Sequence, residues 1–202
     1  MSAKWAGRND RDGIEGHLHM TSVERRVITP PPAMSPDIGR WLWALEDARA
    51  RTKREVDGLS RAELDWTHPD VGNAIGSLLY HIALIEADYL CIDMLGREDY
   101  LDDLQPLFPF PDRDDAGRLT AVTGVPLTEH LARLDTVRAR LLGIVAGMTD
   151  EQMAHVRQLP EWDYEISPAW TLHHLMQHEA QHRGEIGVLR LLFKGSAAAA
   201  TP

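Results

Sequence analysis

Apolar residues recur every three to four positions through four long segments of the chain, the period of amphipathic helices. The first segment opens at "SPDIGRWLW" and runs to about Gly58, with Ser35 as N-cap, Pro36 at the first helical position and Asp37 against the positive end of the helix dipole. The second starts after Asn73 in "NAIGSLLYHIALIEADYL" and ends near Gly96, and the third spans about Thr128 to Ala146. The fourth repeats the Ser-Pro start with Ser167 and Pro168 and is predicted to stop before Gly195, a C' glycine. The pattern predicts an all-α fold, a four-helix bundle over residues 35–194. Its long connection between the second and third helices, residues 97–126, is expected to cross the bundle and to carry a short helix or cover a site. Residues 1–34 are expected to form a flexible arm, with His17 and His19 outside any site, and residues 195–202 a disordered tail.

The chain also repeats itself. "LEDARARTKREVDGLSRAEL", Leu45 to Leu64, aligns without gaps on "LDTVRARLLGIVAGMTDEQM", Leu134 to Met153, pairing Arg49 with Arg138, Arg51 with Arg140, Val56 with Val145 and Gly58 with Gly147. Further on, "LYHIALIEA" aligns on "LHHLMQHEA", pairing His81 with His174 and Glu86 with Glu179. Two related helical hairpins facing each other predict a pseudo-symmetric bundle, with the first helix beside the second and the third beside the fourth.

Composition narrows the classes. A chain of 202 residues, 44% hydrophobic, suffices for a single core. It has no run of 18 or more apolar residues and no apolar stretch at its start, so a membrane span is not expected and a cytoplasmic location is. The net charge of -10, from 31 acidic against 21 basic residues without a basic cluster, argues against nucleic acid as a partner. A lone cysteine, Cys91, excludes an intramolecular disulfide and any cysteine-rich metal site, and reads as a small buried hydrophobe.

Histidines carry the candidate chemistry. In the fourth helix His174, His178 and His182 fall at four-residue spacing, in the same band as Leu175, Leu189 and Leu192, with Glu185 inside it. In the second helix Leu78, Ile82, Ile85 and Tyr89 define the buried stripe, His81 lies at its margin and Glu86 on the opposite margin. Burying an unpartnered polar group costs roughly 1 to 3 kcal/mol, so several inward imidazoles call for a common partner, and a divalent metal is one. Histidines four apart on a helix can share an ion, and His81 is the natural third donor. Spacing alone does not choose between His174 with His178 and His178 with His182. Glu86, Glu179 and Glu185 are candidate acceptors for the outer ring nitrogens, with Glu179 also placed to pair with Arg183 near the bundle margin. His173 turns away from the band, and His68, His130 and His155 are read as surface or loop residues.

"HLMQHEAQHRGEI" resembles the last-helix motif of the DinB-like superfamily of metal-binding four-helix bundles, and "LSRAELDWTHPDVGNAIGSLLYHIALIEADYL" resembles that family's second-helix region. The resemblance covers about residues 35 to 194. It implies a ligand set of one histidine from the second helix and two from the fourth, here His81, His178 and His182, and frequent homodimers. Glu185 stands where many relatives have glutamine. Characterised members are similar to transferases or isomerases that use low-molecular-weight bacterial thiols.

The expected function is therefore that of a divalent-metal-dependent enzyme on a small-molecule substrate. Its metal, zinc first and nickel, iron or manganese after it, activates a low-molecular-weight thiol or water for S-transfer or a related reaction on a small electrophile. Glu86 or Glu185 is the candidate catalytic residue, orienting a ligand or shuttling the proton, and the acidic connection around "DDLQPLFPFPDRDD" is a candidate wall of the substrate entrance. The alternative is a non-catalytic, stress-related metal-binding homodimeric module, in which the ion fixes the bundle.

Overall fold

Pro36 lacks an amide proton that the first helical turn does not need, and α1 (Pro36–Val56) begins there, ending just before Gly58 at a φ of 71°. The computed structural model describes residues 27–31, 34–70, 72–158 and 163–199; most of the expected N-terminal arm, with His17 and His19, and the last three residues of the tail lie outside the described residues. The Ser35 hydroxyl makes no cap and instead donates to Asp150 at 2.5 Å. Two short helices, α2 (Arg61–Asp65) and α5 (Asp150–Ala154), start at repeat-equivalent capping boxes, Ser60 with Glu63 and Thr149 with Gln152.

The second long helix, α3 (Ile75–Asp88), widens into a π-helical turn over Tyr89–Met94 and stops at Gly96, where φ is 67°. The connection that follows holds one 3-10 turn, Gln105–Leu107, before α4 (Leu127–Val145). A two-stranded antiparallel ladder, β1 (Arg157–Gln158) with β2 (Glu165–Ile166), leads into α6 (Pro168–Ala199). This last helix does not stop at Gly195 as its sequence suggests. The alanines after it are strong helix formers and carry the helix to Ala199, so part of the expected disordered tail is helical.

Packing departs from the expected pairing of consecutive helices. The ring of neighbours is α1–α6, α6–α3, α3–α4 and α4–α1, which leaves α1 and α3, and α4 and α6, across the diagonals. The reason is the connections: α2 and α5 fill them, so the chain crosses the end of the bundle before the next long helix begins. The core between the helices is aliphatic, with Leu45, Leu78, Leu79, Leu134, Val137, Leu141 and Leu189 all fully buried. Ile75–Met94 is apolar and long enough to cross a membrane by length and composition, but 78% of its most apolar window is buried inside the bundle, as befits a core helix.

One polar cluster sits within this core, where each long helix contributes one charged residue. Glu86 of α3 accepts from Arg49 of α1 at 2.7 Å and from Arg138 of α4 at 2.6 and 2.9 Å. Glu179 of α6 accepts from the same two arginines at 2.9 Å each. None of the four side chains is more than 4% exposed. Burial alone would raise the Glu86 carboxyl, but the two guanidinium groups hold it below the ordinary carboxylate range.

Candidate metal centre

One turn of α6 separates His178 from His182, and the facing helix α3 brings His81 to both. Nε2 of His178 lies 3.1 Å from Nε2 of His81 and 3.1 Å from Nε2 of His182. The three ring nitrogens all lie within 4.8 Å of one another, the single such three-donor cluster of His, Cys, Asp or Glu among the described residues. His81 and His182 are buried and His178 half-buried, so the cluster sits at the wall of the bundle rather than at its centre.

The outer nitrogens decide what the inner ones can do. Nδ1 of His81 meets Asp112 at 2.5 Å, and Nδ1 of His182 meets Glu185 at 3.1 Å. An ionised carboxylate only accepts, so each Nδ1 carries the proton and each Nε2 keeps its lone pair directed inward. Burial, and then the neighbouring imidazoles, push His178 down to about 3, and burial lowers His182 although Glu185 opposes it. His178 and His182 are therefore neutral at pH 7. The inward lone pairs of His81 and His182 both face Nε2 of His178 at 3.1 Å, and this donor set fits a divalent metal, to which neutral imidazoles and carboxylate-held outer nitrogens are suited.

Asp112 is the residue that sequence reasoning did not single out. Its segment stood out only as an acidic stretch in the long connection, because nothing in its spacing announces a partner 31 positions earlier. The fold places it through Tyr80, whose hydroxyl donates to the Phe110 carbonyl at 2.7 Å and accepts from the Phe110 amide at 3.0 Å. Pinning Phe110 beside Tyr80 brings Asp112 to His81, the next residue on α3. Burial acts to raise the Asp112 carboxyl, but its hydrogen bond to His81 leaves it below its ordinary value.

Other expected residues are placed elsewhere. Glu86 does not serve the histidines: both of its oxygens are taken up by Arg49 and Arg138, which is where a buried carboxylate finds compensation. Glu179 is buried in the same cluster rather than at the margin with Arg183, whose guanidinium instead reaches the Ala48 carbonyl at 3.4 Å. His174 does not join the three nitrogens; its ring stacks on Trp170 at 5.1 Å and lies 4.7 Å from Tyr89. His130, expected at the surface, is 1% exposed on α4 beside Arg133. His155 is exposed, and His173 and His68 rest edge-on against Trp41 and Trp66.

Solved structures with this architecture include YfiT from Bacillus subtilis, described as a "probable metal-dependent hydrolase with an unusual four-helix bundle topology". It is 19% identical, with a TM-score of 0.59 over 82% of this chain and 93% of its own. A conserved protein from Enterococcus faecalis is 18% identical, with a TM-score of 0.61 over 77% of this chain and 95% of its own. At these identities the likeness establishes the fold. No curated protein matches the chain in sequence. The family model described as the DinB superfamily matches residues 44–186, which take in the C-terminal part of α1, both capping boxes, His81, His178, His182 and Glu185, and the chain therefore belongs to the DinB superfamily.

Proposed function

We propose that this protein is a divalent-metal-dependent enzyme whose three-histidine centre prepares a nucleophile, water or a low-molecular-weight thiol, for attack on a small electrophile. The observation that carries the reading is the convergence of the Nε2 atoms of His81, His178 and His182, two of them with their outer nitrogens held by carboxylates. A divalent ion held by the three would supply Lewis acidity, lowering the pKa of a coordinated water to about 7 or holding a thiol as its thiolate. Three protein donors is the count of catalytic rather than closed structural sites.

The chain's own residues divide the remaining work. Asp112 and Glu185 keep the Nδ1 protons in place and so keep the Nε2 lone pairs aimed inward. The Glu185 side chain is 37% exposed, so beyond orienting His182 it can take up a proton from the reacting group and pass it to water. Glu86 is withdrawn from this role.

Zinc is the first choice of metal, with nickel, iron and manganese compatible with imidazole donors. Family resemblance favours S-transfer from a small thiol and a homodimeric state, and the description of the Bacillus subtilis structure favours hydrolysis. The test is elemental analysis of protein purified without added metal, followed by turnover of an electrophile and of an ester, each with and without a small thiol. About one ion per chain, lost together with turnover in a His81→Ala, His178→Ala variant, is the expected result. Metal-free protein with unchanged turnover would overturn it.

A further inference from the structure

The internal repeat gives the three-histidine centre a counterpart. The register that pairs His81 with His174 also pairs His178 with Ile85 and His182 with Tyr89. Both halves keep the same framework: the rings of His81 and His182 are 4.9 Å apart, and those of His174 and Tyr89 are 4.7 Å apart. With Ile85 and Tyr89 in place of two imidazoles, the second half cannot hold a metal the same way. It opens instead into a cleft of about 270 Å³ lined by Ile85, Asp88, Tyr89, Ile92, Asp93 and Tyr164.

Asp93 is the feature of this cleft that asks for a ligand. It is 8% exposed and lines the cleft, yet among the described residues no hydrogen bond or ion pair reaches its carboxylate. The π-helical turn puts it five residues after Asp88, on the same side of the widened helix. Asp88 accepts from the Tyr100 hydroxyl at 2.5 Å through one oxygen and keeps the other. Arg157 is the cation whose charge is felt at Asp93, but its guanidinium reaches the Ile92 carbonyl instead, at 3.4 Å. Burial and the neighbouring Asp88 push the Asp93 carboxyl up to about 6, so it is largely ionised at pH 7. A carboxylate at the cleft wall that no protein donor among the described residues reaches is available to a bound cation.

We propose that this cleft binds a small organic cation, a primary alkylammonium group, whose N–H groups donate to Asp93 and Asp88 and whose alkyl part rests on Ile85, Ile92 and the Tyr89 ring. A metal ion is the poorer occupant, because among the described residues no third His, Cys, Asp or Glu donor converges on the two carboxylates. Aromatic and aliphatic walls, by contrast, suit an ammonium on a carbon chain. Tyr89 at the cleft wall lies against His174, whose ring is 5.9 Å from that of His178, so the two sites are linked through packed rings. Binding of this cation does not depend on the metal-centre reading above.

NMR titration of the isotope-labelled full chain with butylammonium and with butan-1-ol tests the site in chelator-treated and zinc-loaded protein alike. Butylammonium is expected to shift resonances of residues 85–93 and the Trp170 indole, binding at least about tenfold more tightly than the alcohol. Asp93→Asn is expected to weaken butylammonium by about tenfold or more while the zinc content stays that of the unaltered chain. Equal binding of amine and alcohol in the unaltered protein, no butylammonium binding, or undiminished binding by a folded Asp93→Asn variant overturns the proposal. Zinc content, measured separately, reports on the metal-centre reading, so the two can fail independently.

Discussion

Arg49 and Arg138 mirror one another: each guanidinium donates at 2.6 Å to the backbone carbonyl of the residue four positions before the other, Leu134 and Leu45. These residues are repeat partners, as are Glu86 and Glu179, so the buried ion cluster lies on the pseudo-twofold axis that relates α1 to α4 and α3 to α6. Each carboxylate faces both arginines. Replacing one by a neutral amide leaves the two buried guanidinium groups short of compensating charge.

Glu86→Gln is therefore expected to destabilise the fold by about 3–5 kcal/mol, measured by urea denaturation of the metal-free protein. Glu179→Gln should cost a similar amount, because the two sites are equivalent by the repeat. Metal content should survive both changes. A Glu86→Gln protein as stable as the unaltered chain but without turnover would return Glu86 to the reacting machinery.

Of the three clustered histidines, Asp112 is hydrogen-bonded to His81. Asp112→Ala removes the acceptor that holds the Nδ1 proton of His81, and metal affinity should fall by about 10–100-fold, as read by competition with a chromophoric chelator. The half-exposed Asp112 has little part in the core, so urea unfolding of the metal-free variant should match that of the parent.

The limits of the sequence reading follow from the same residues. Helical periodicity located α1, α3, α4 and the start of α6, because a buried face repeats every turn and leaves its mark along the chain. It reports which face of a helix is covered, not which helix covers it, and the neighbour pairs were therefore misjudged. The three histidines were legible through spacing and resemblance together. Asp112 was not, since a loop carboxylate has no period. Glu86 and Glu179 looked marginal because their compensating charges come from other helices, as far as 130 positions away for Arg49 and Glu179. The repeat had already paired Arg49 with Arg138 and Glu86 with Glu179, and paired buried charges in register were the available sign of a shared cluster.

His130 offers a test of burial by pH. Burial, helped by the Arg133 charge, lowers it from 6.5 to about 4 in the folded chain. The unfolded state then takes up a proton first as pH falls. Stability is unaffected above about pH 6.5 and decreases between there and about pH 4, by at most ~1.4 kcal/mol per pH unit for this one group, before levelling off. The histidine ring resonances of His130, followed by NMR, should titrate well below pH 6; titration near 6.5 would place the side chain in solvent and contradict the buried position.

Metal removal separates an enzyme from a module that the ion holds together. The aliphatic core and the four-charge cluster are formed without the histidine nitrogens, which gather at the bundle wall around a half-buried His178. Chelator-treated protein should accordingly keep its helical circular dichroism and a cooperative thermal transition. Restoring metal should raise stability only by mass action, about 2.7 kcal/mol at a free concentration one hundred times the dissociation constant. Loss of helicity on chelation, with recovery on adding zinc, would mean that the ion is a structural fastener. The half-exposed edge at Glu185 would then serve no proton, because a closed structural ion leaves no place for a nucleophile to be prepared.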